Sequence, residues 1–207
     1  MPQSDSSKPR TAGRDIVSIV MFFVIAAIAL AVDLSLKHWS FETVAGQPVP
    51  LTRENADDPN LIPNHPGINL VPHGLMLKLT LNKGAVFGIG AGGRIFFIAV
   101  TFIAVVIVIS LFWRSARNHR TLQIGLALVL AGALGNLYDR ILYGAVRDML
   151  YLFPGVHLPF GLSWPGGNTE VYPWIFNIAD AALCVGVGLI LLTMLRKPKD
   201  AQATKSS

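Results

Sequence analysis

The chain has 207 residues, of which 52% are hydrophobic and only 14% charged, and its mean hydropathy is +0.52. That is too apolar for an ordinary soluble domain and suits several membrane spans. The net charge of +5 does not point to nucleic acid, because the basic residues gather at the ends of apolar runs, where they set topology.

In chain order, a basic leader (Lys8, Arg10, Arg14) precedes IVSIVMFFVIAAIALAV, and a first span is expected over about 16–36. A basic leader, an apolar run and Ala29-Leu30-Ala31 also resemble a cleaved signal peptide, but three more spans follow. The outer segment, about 37–93, opens with Pro-, Asn- and Asp-rich loop sequence. It then alternates apolar with other residues in LMLKLTLN, the pattern of a half-buried strand. Further spans are expected over about 94–113 and 121–141, joined by the short WRSARNHR loop that permits only an antiparallel pair. A second outer segment, 142–174, is dense in Gly, Pro and aromatics, and the last span is expected over about 175–195. The expected fold is an α-helical membrane protein: four transmembrane helices under a small extracytoplasmic β platform with loops. Residues 15–197 form the membrane domain, and the tails 1–14 and 198–207 are expected to be disordered.

Arg114, Arg117 and Arg120 lie between spans two and three, and Arg196, Lys197, Lys199 and Lys205 follow span four. With the leader, these regions share one side, so both termini are expected in the cytoplasm. Trp39 and Trp174 fall near outer ends of spans and Trp113 near an inner end, as an aromatic belt places them. Cys184 stands alone, which excludes an intrachain disulfide.

The charges within the apolar runs collect near the outer boundary: Asp33 and Lys37, Asp139 and Arg140, Asp148, and Asp180, with Asn82, Asn136 and Asn177 beside them. Ionisable groups at such depth cost several kcal/mol unless paired or hydrated, so each marks a candidate functional position, the plain alternative being capping and mutual neutralisation. Gly144 gives the third span a place to stop, so Asp148 can turn back toward the bundle. Asn136 and Arg140 are spaced i, i+4 and can brace one another or a neighbour's carboxylate. Asp148 and Asp180 then read as carboxylates from different helices at one depth. Two such groups share a proton: one activates water as general base and the other donates to a carbonyl. That is aspartic peptidase chemistry, which needs no cofactor and no metal. His65, His73 and His157 lack ligand spacing, and G-x-S-x-G, H-E-x-x-H and Gly-rich phosphate loops are absent.

NKGAVFG (82–88), GALGNLYDR (132–140), GAVRD (144–148) and FNIAD (176–180), with D-x-x-x-K from Asp33 to Lys37, resemble the successive motifs of the bacterial lipoprotein signal peptidases, signal peptidase II. The motifs stand in the family's order on its four-span pattern. The resemblance implies that Asp148 and Asp180 are the catalytic dyad and that Asp33, Lys37, Asn82, Gly84, Asn136, Arg140 and Asn177 position substrate or support the dyad. Asp139 matches a structural position. The resemblance further implies a prolipoprotein substrate cut before a diacylglyceryl-modified cysteine, inhibition by globomycin, and residence in the bacterial inner membrane; contact with membrane lipids, a site near the outer face and a monomer are expected.

Val86 and Met149 replace residues usual in the family, and the stretches Lys37 to Asn82 and Asp148 to Asp180 are longer than usual. Gly161, Gly166 and Gly167 could make the second insertion a mobile lid, or the insertion is passive. A rival from another class is a small proton- or cation-coupled transporter using the boundary aspartates; it expects acids at several depths.

Overall fold

The computed structural model describes residues 11–84 and 93–195. Within them, four helices are long and apolar enough to cross a membrane: α1 (Ile16–Thr43), α2 (Gly93–Arg114), α3 (Arg120–Leu142) and α4 (Ile178–Leu195). Strands β1 (Ile68–Val71), β2 (Leu75–Asn82), β3 (Val146–Leu152) and β4 (Ile175–Phe176) form one antiparallel sheet in the order β1-β2-β3-β4. The β platform on a four-helix bundle is therefore present.

Element boundaries shift in two places. The first helix runs on to Thr43 instead of stopping near 36, because no glycine or proline interrupts it before Gly46. The fourth helix begins at Ile178, since Ile175 and Phe176 pair with Tyr151 and Leu150 as β4. The alternation of LMLKLTLN marks β2 correctly, whereas β1 and β3 carry no such signal.

α1 starts at Asp15, whose carboxylate caps it by accepting the Ser18 N–H at 3.1 Å and the Ser18 hydroxyl at 2.7 Å. Thr11 to Arg14, expected in a disordered tail, are ordered. The Ala12 N–H donates to the Ser115 carbonyl at 2.8 Å, and Gly13 lies flat against the Trp113 indole, where a Cβ would be 2.6 Å from Cγ. Arg117 (3.3 Å) and Arg120 (3.6 Å) reach Asp15, so the chain before α1 and the α2–α3 loop share one end of the bundle. The remaining tail residues, with Lys8, Arg10, Arg196, Lys197, Lys199 and Lys205, lie outside the described residues, as do Val86 and the rest of NKGAVFG beyond Gly84.

α3 is the most enclosed of the four helices. Phe22 and Phe112 stack at 4.0 Å between α1 and α2, and Leu126, Ala127, Leu130 and Ala131 of α3 complete that core. In a bilayer, helices associate by close packing and not by escape from water, which favours small residues at the seam. The α3–α4 seam follows this rule: a Cβ on Gly125 would lie 2.8 Å from the Gly186 carbonyl, and one on Gly132 would overlap the carbonyl of Ala179. At the other end, Phe41, Val44 and Val49 pack beneath Leu77, Leu79, Met149 and Leu150, fixing the sheet onto the end of α1.

Candidate active site

The site lies where the sheet meets the bundle. α3 ends at Leu142, and Gly144, at φ +80°, takes the left-handed conformation that reverses the chain into β3. The reversal expected at Gly144 is therefore where the structure has it. Asp148 stands on a strand, however, and not on a helix as the sequence suggested: Thr80 of β2 pairs with it across the ladder. β4, on the other side of β3, leads through Asn177 into the first turn of α4, which carries Asp180.

Asn177 joins the two aspartates. Its side-chain amide donates to Asp148 Oδ1 at 2.6 Å, while its backbone N–H donates to Asp180 Oδ2 at 3.2 Å. Its side-chain oxygen caps α4 by accepting the Asp180 N–H at 3.0 Å. Asn136 of α3 closes the loop: its amide donates to Asp180 Oδ1 at 2.7 Å and its oxygen accepts from Asn177 at 3.1 Å. Asn82, at the end of β2, also hydrogen-bonds Asp148, and its oxygen accepts the Gly84 N–H at 2.9 Å. Gly84, at φ +78°, packs so closely on Phe97 that a Cβ could not be accommodated.

Beside the dyad runs a chain of ion pairs, Asp33–Lys37–Asp139–Arg147. Lys37, wholly buried, contacts Asp33 at 2.8 Å, Asp139 at 3.3 Å and Asn136 Oδ1 at 3.2 Å. Asp139 in turn holds Arg147 through Nη2 at 2.8 Å and Nε at 3.1 Å, and accepts the Arg147 backbone N–H at 3.0 Å. Asp33 accepts the Ala179 N–H at 2.8 Å, tying α1 to the start of α4. Two carboxylates and two cations balance, as burial requires. Arg140 donates to the Asn136 carbonyl at 3.5 Å, lies over the Phe97 ring at 5.0 Å, and is within electrostatic reach of Asp180, Asp148 and Asp139.

Every residue implied by the motifs is thus in this one network, Asp139 as a strut. Spacing alone does not say which carboxylate Arg147 compensates, and it does not single out Gly135, whose Cβ would lie 2.5 Å from Asp33 Oδ2. The signal for Arg147 was a charge inside an apolar strand; for Gly135, a small residue one position before Asn136.

Burial, and after it the charge of Asp180, push the Asp148 carboxyl up from an ordinary 3.8 to about 7, against opposing hydrogen bonds from Asn177 and Asn82. Burial thus favours the protonated form of Asp148. Asp180, less buried, accepts two N–H donors. Two carboxyl groups held by one asparagine form an arrangement able to add water across a carbonyl.

A model described as signal peptidase (SPase) II matches residues 25–196. The chain is 37% identical over 143 residues to the lipoprotein signal peptidase of Halalkalibacterium halodurans, covering 68% of this chain and 81% of that one. It is 40% identical over 136 residues to that of Syntrophotalea carbinolica, covering 64% and 75%. Two solved structures of bacterial membrane enzymes, both determined by the in meso method, share the fold. One superposes with a TM-score of 0.62 at 28% identity over 96% of each chain. The other gives 0.63 at 26% identity over 92% of this chain and 98% of that one.

Proposed function

The chain belongs to the signal peptidase II family, membrane peptidases of lipoproteins, and on that premise we propose that it is an aspartic endopeptidase whose Asp148 and Asp180 activate water to remove the signal peptide from prolipoproteins. The bond cut is the one before the diacylglyceryl-modified cysteine. The observation that carries this reading is the pairing of Asp148 and Asp180 through the single side chain and backbone of Asn177.

In this mechanism Asp180 takes a proton from water as the oxygen attacks the scissile carbonyl, and Asp148 donates its proton to the carbonyl oxygen. Collapse of the tetrahedral intermediate breaks the C–N bond and returns a proton to the amine of the cysteine. No cofactor enters. Asn136 and Asn177 orient the dyad, and Asn82 holds Asp148 from the strand side. Arg140 stabilises charge on the aspartates, and Gly84 lets the end of β2 close against Phe97 beside the dyad. Asp33 and Lys37 act further back, by holding Asn136 and α4 in place.

A substrate whose acyl chains stay in the bilayer presents its peptide bond at the interface, which supports placing this end of the bundle at the outer face of the bacterial inner membrane. The basic residues Arg114, Arg117 and Arg120 at the opposite end favour the cytoplasm there, with both termini. The network draws on α1, α3, α4, β2 and β3 of one chain, which supports action as a monomer, with globomycin expected to compete at the dyad. The transport alternative gains nothing: Asp33 and Lys37 are ion-paired to each other, and Ile95 to Trp113 carries no charge.

The test is a gel-shift cleavage assay in lipid with a diacylglyceryl-modified prolipoprotein. The native enzyme should cleave, and folded Asp148→Asn and Asp180→Asn should each lose about a thousandfold or more. Failure of the native enzyme on modified substrate, or normal cleavage by both variants, ends the proposal.

A further inference from the structure

The insertion between β3 and β4 is an ordered hairpin. Leu158 N–H donates to the Thr169 carbonyl at 2.7 Å, Val171 N–H to that of Val156 at 2.8 Å, and Trp164 N–H to that of Asn168 at 2.8 Å. Between Phe153 and Trp174 the only charged residue is Glu170, and it is occupied: Tyr151 donates its hydroxyl to it and the Gly155 N–H reaches it at 3.2 Å. The terminal turn runs from Trp164 to Asn168, and on the bend before it two large apolar side chains stand open beside exposed Ser163 and Asn168. Phe160 is 96% exposed and Leu162 57%. Phe160 is also held at φ +59°, a left-handed conformation unfavourable for a residue with a side chain, followed by Gly161 at +71°.

Depth comes from an aromatic chain that folds the terminal turn back onto the hairpin's base. The Trp164 ring meets the Trp174 ring edge-on at 4.8 Å, Trp174 meets Tyr172 at 5.3 Å, and Tyr172 meets Phe176 at 5.9 Å. Trp174 is four residues before the first residue of α4, so the Trp164 ring packed against it lies near the outer end of that span. Tryptophan and tyrosine concentrate at this level because their rings are apolar and their N–H or O–H is wet. Here Trp164 Nε1 donates to the Glu170 carbonyl at 2.9 Å, and the residue stays 36% exposed. The apolar belt of the bundle thus continues onto the hairpin.

We infer that the 153–174 hairpin is an interfacial anchor: Phe160 and Leu162 dip into the outer leaflet, with Trp164 and Trp174 at the headgroup level. The occupant of this face is lipid, recognised through apolar surface and not through headgroup charge, since the hairpin carries no Lys or Arg. The anchor ties the strand bearing Asp148 to the membrane surface through β3. This inference needs the span arrangement only and is independent of the peptidase assignment.

The test is site-directed spin labelling of the full chain in liposomes, in a Cys184→Ser background that removes the exposed native cysteine. Labels are placed at Phe160→Cys and, separately, Leu162→Cys, with exposed Glu54→Cys as an aqueous reference. Oxygen should relax the 160 and 162 labels several-fold more than a water-soluble nickel chelate does. The preference should be reversed at 54 and unchanged between zwitterionic and anionic lipid. Nickel access at 160 and 162 like that at 54 overturns the anchor. So does immobilisation with neither collider reaching the label, which would mean a hairpin closed on protein.

Discussion

Asn177 and Asp148 are joined by a 2.6 Å hydrogen bond from the amide of one to the carboxylate of the other. Because Asn177 opens α4 and Asp148 lies on β3, this bond also locks a helix to a strand. Burial of Asn177 leaves no water to replace it.

Asn177→Ala should therefore lower kcat/KM by about 10- to 100-fold, the usual effect of loosening a reacting pair by a fraction of an ångström to an ångström. The Asn177 bond also holds the Asp148 pKa down, so its loss should move the basic limb of the pH–rate profile to higher pH. Unchanged kcat/KM with an unmoved limb would show that the bond neither orients nor tunes the dyad.

The parent profile follows from the same carboxyl. With Asp148 raised to about 7, activity should fall above neutral pH as the proton to be donated is lost. Stability carries the same sign. A carboxyl that binds its proton more tightly folded than unfolded favours the fold fully below about 4, and that contribution is lost as pH climbs through 7. Asp148→Asn cannot titrate, so its melting temperature relative to the parent should rise by several degrees between pH 5 and pH 8. A pH-independent difference in thermal unfolding in micelles would sink the argument.

Much of this site was legible in the sequence, and the remainder was hidden for physical reasons. Apolar runs located the four helices and alternation located β2. Alternation failed for β3 because residues 146–151 are buried on both faces, giving no period of two, so Asp148 looked helical. Motif order placed Asn136 and Asn177 with the dyad, but spacing could not show that they hydrogen-bond each other across the α3–α4 seam. Nor could it assign Asp139 to both Lys37 and Arg147, a choice made by packing alone.

Lys37 is the next test. Asp33, Asp139, Lys37 and Arg147 sum to zero charge, so Lys37→Met leaves one buried negative charge uncompensated and should cost about 3–5 kcal/mol. Adding Asp33→Asn restores neutrality and should recover much of that loss, which simple loss of packing would not allow. Activity should stay low in both, because Asn136 loses the Lys37 donor that fixes its oxygen toward the bundle. Unfolding curves of the single and double variants decide it: equal destabilisation in the two would refute charge balance as the cause.

The α3–α4 seam sets the final prediction, since both ends of the dyad network depend on how closely these helices approach. A methyl group on Gly132 would run into the backbone carbonyl of Ala179, which cannot rotate away, and into Leu183 Cγ at 2.7 Å. Gly132→Ala must then push α4 outward just where Asp180 begins it, stretching the Asn136–Asp180 and Asn177–Asp148 bonds together. Overpacking of this kind costs about 1–3 kcal/mol, and kcat should fall by more than that stability loss alone would explain. Gly188, on the same helix as Asp180, would have nothing within 4 Å of an added methyl, so Gly188→Ala should leave activity intact and hold or slightly raise the melting temperature through helix propensity. If the two substitutions behave alike in unfolding and cleavage, the close approach of α3 to α4 is not what holds the aspartates in register.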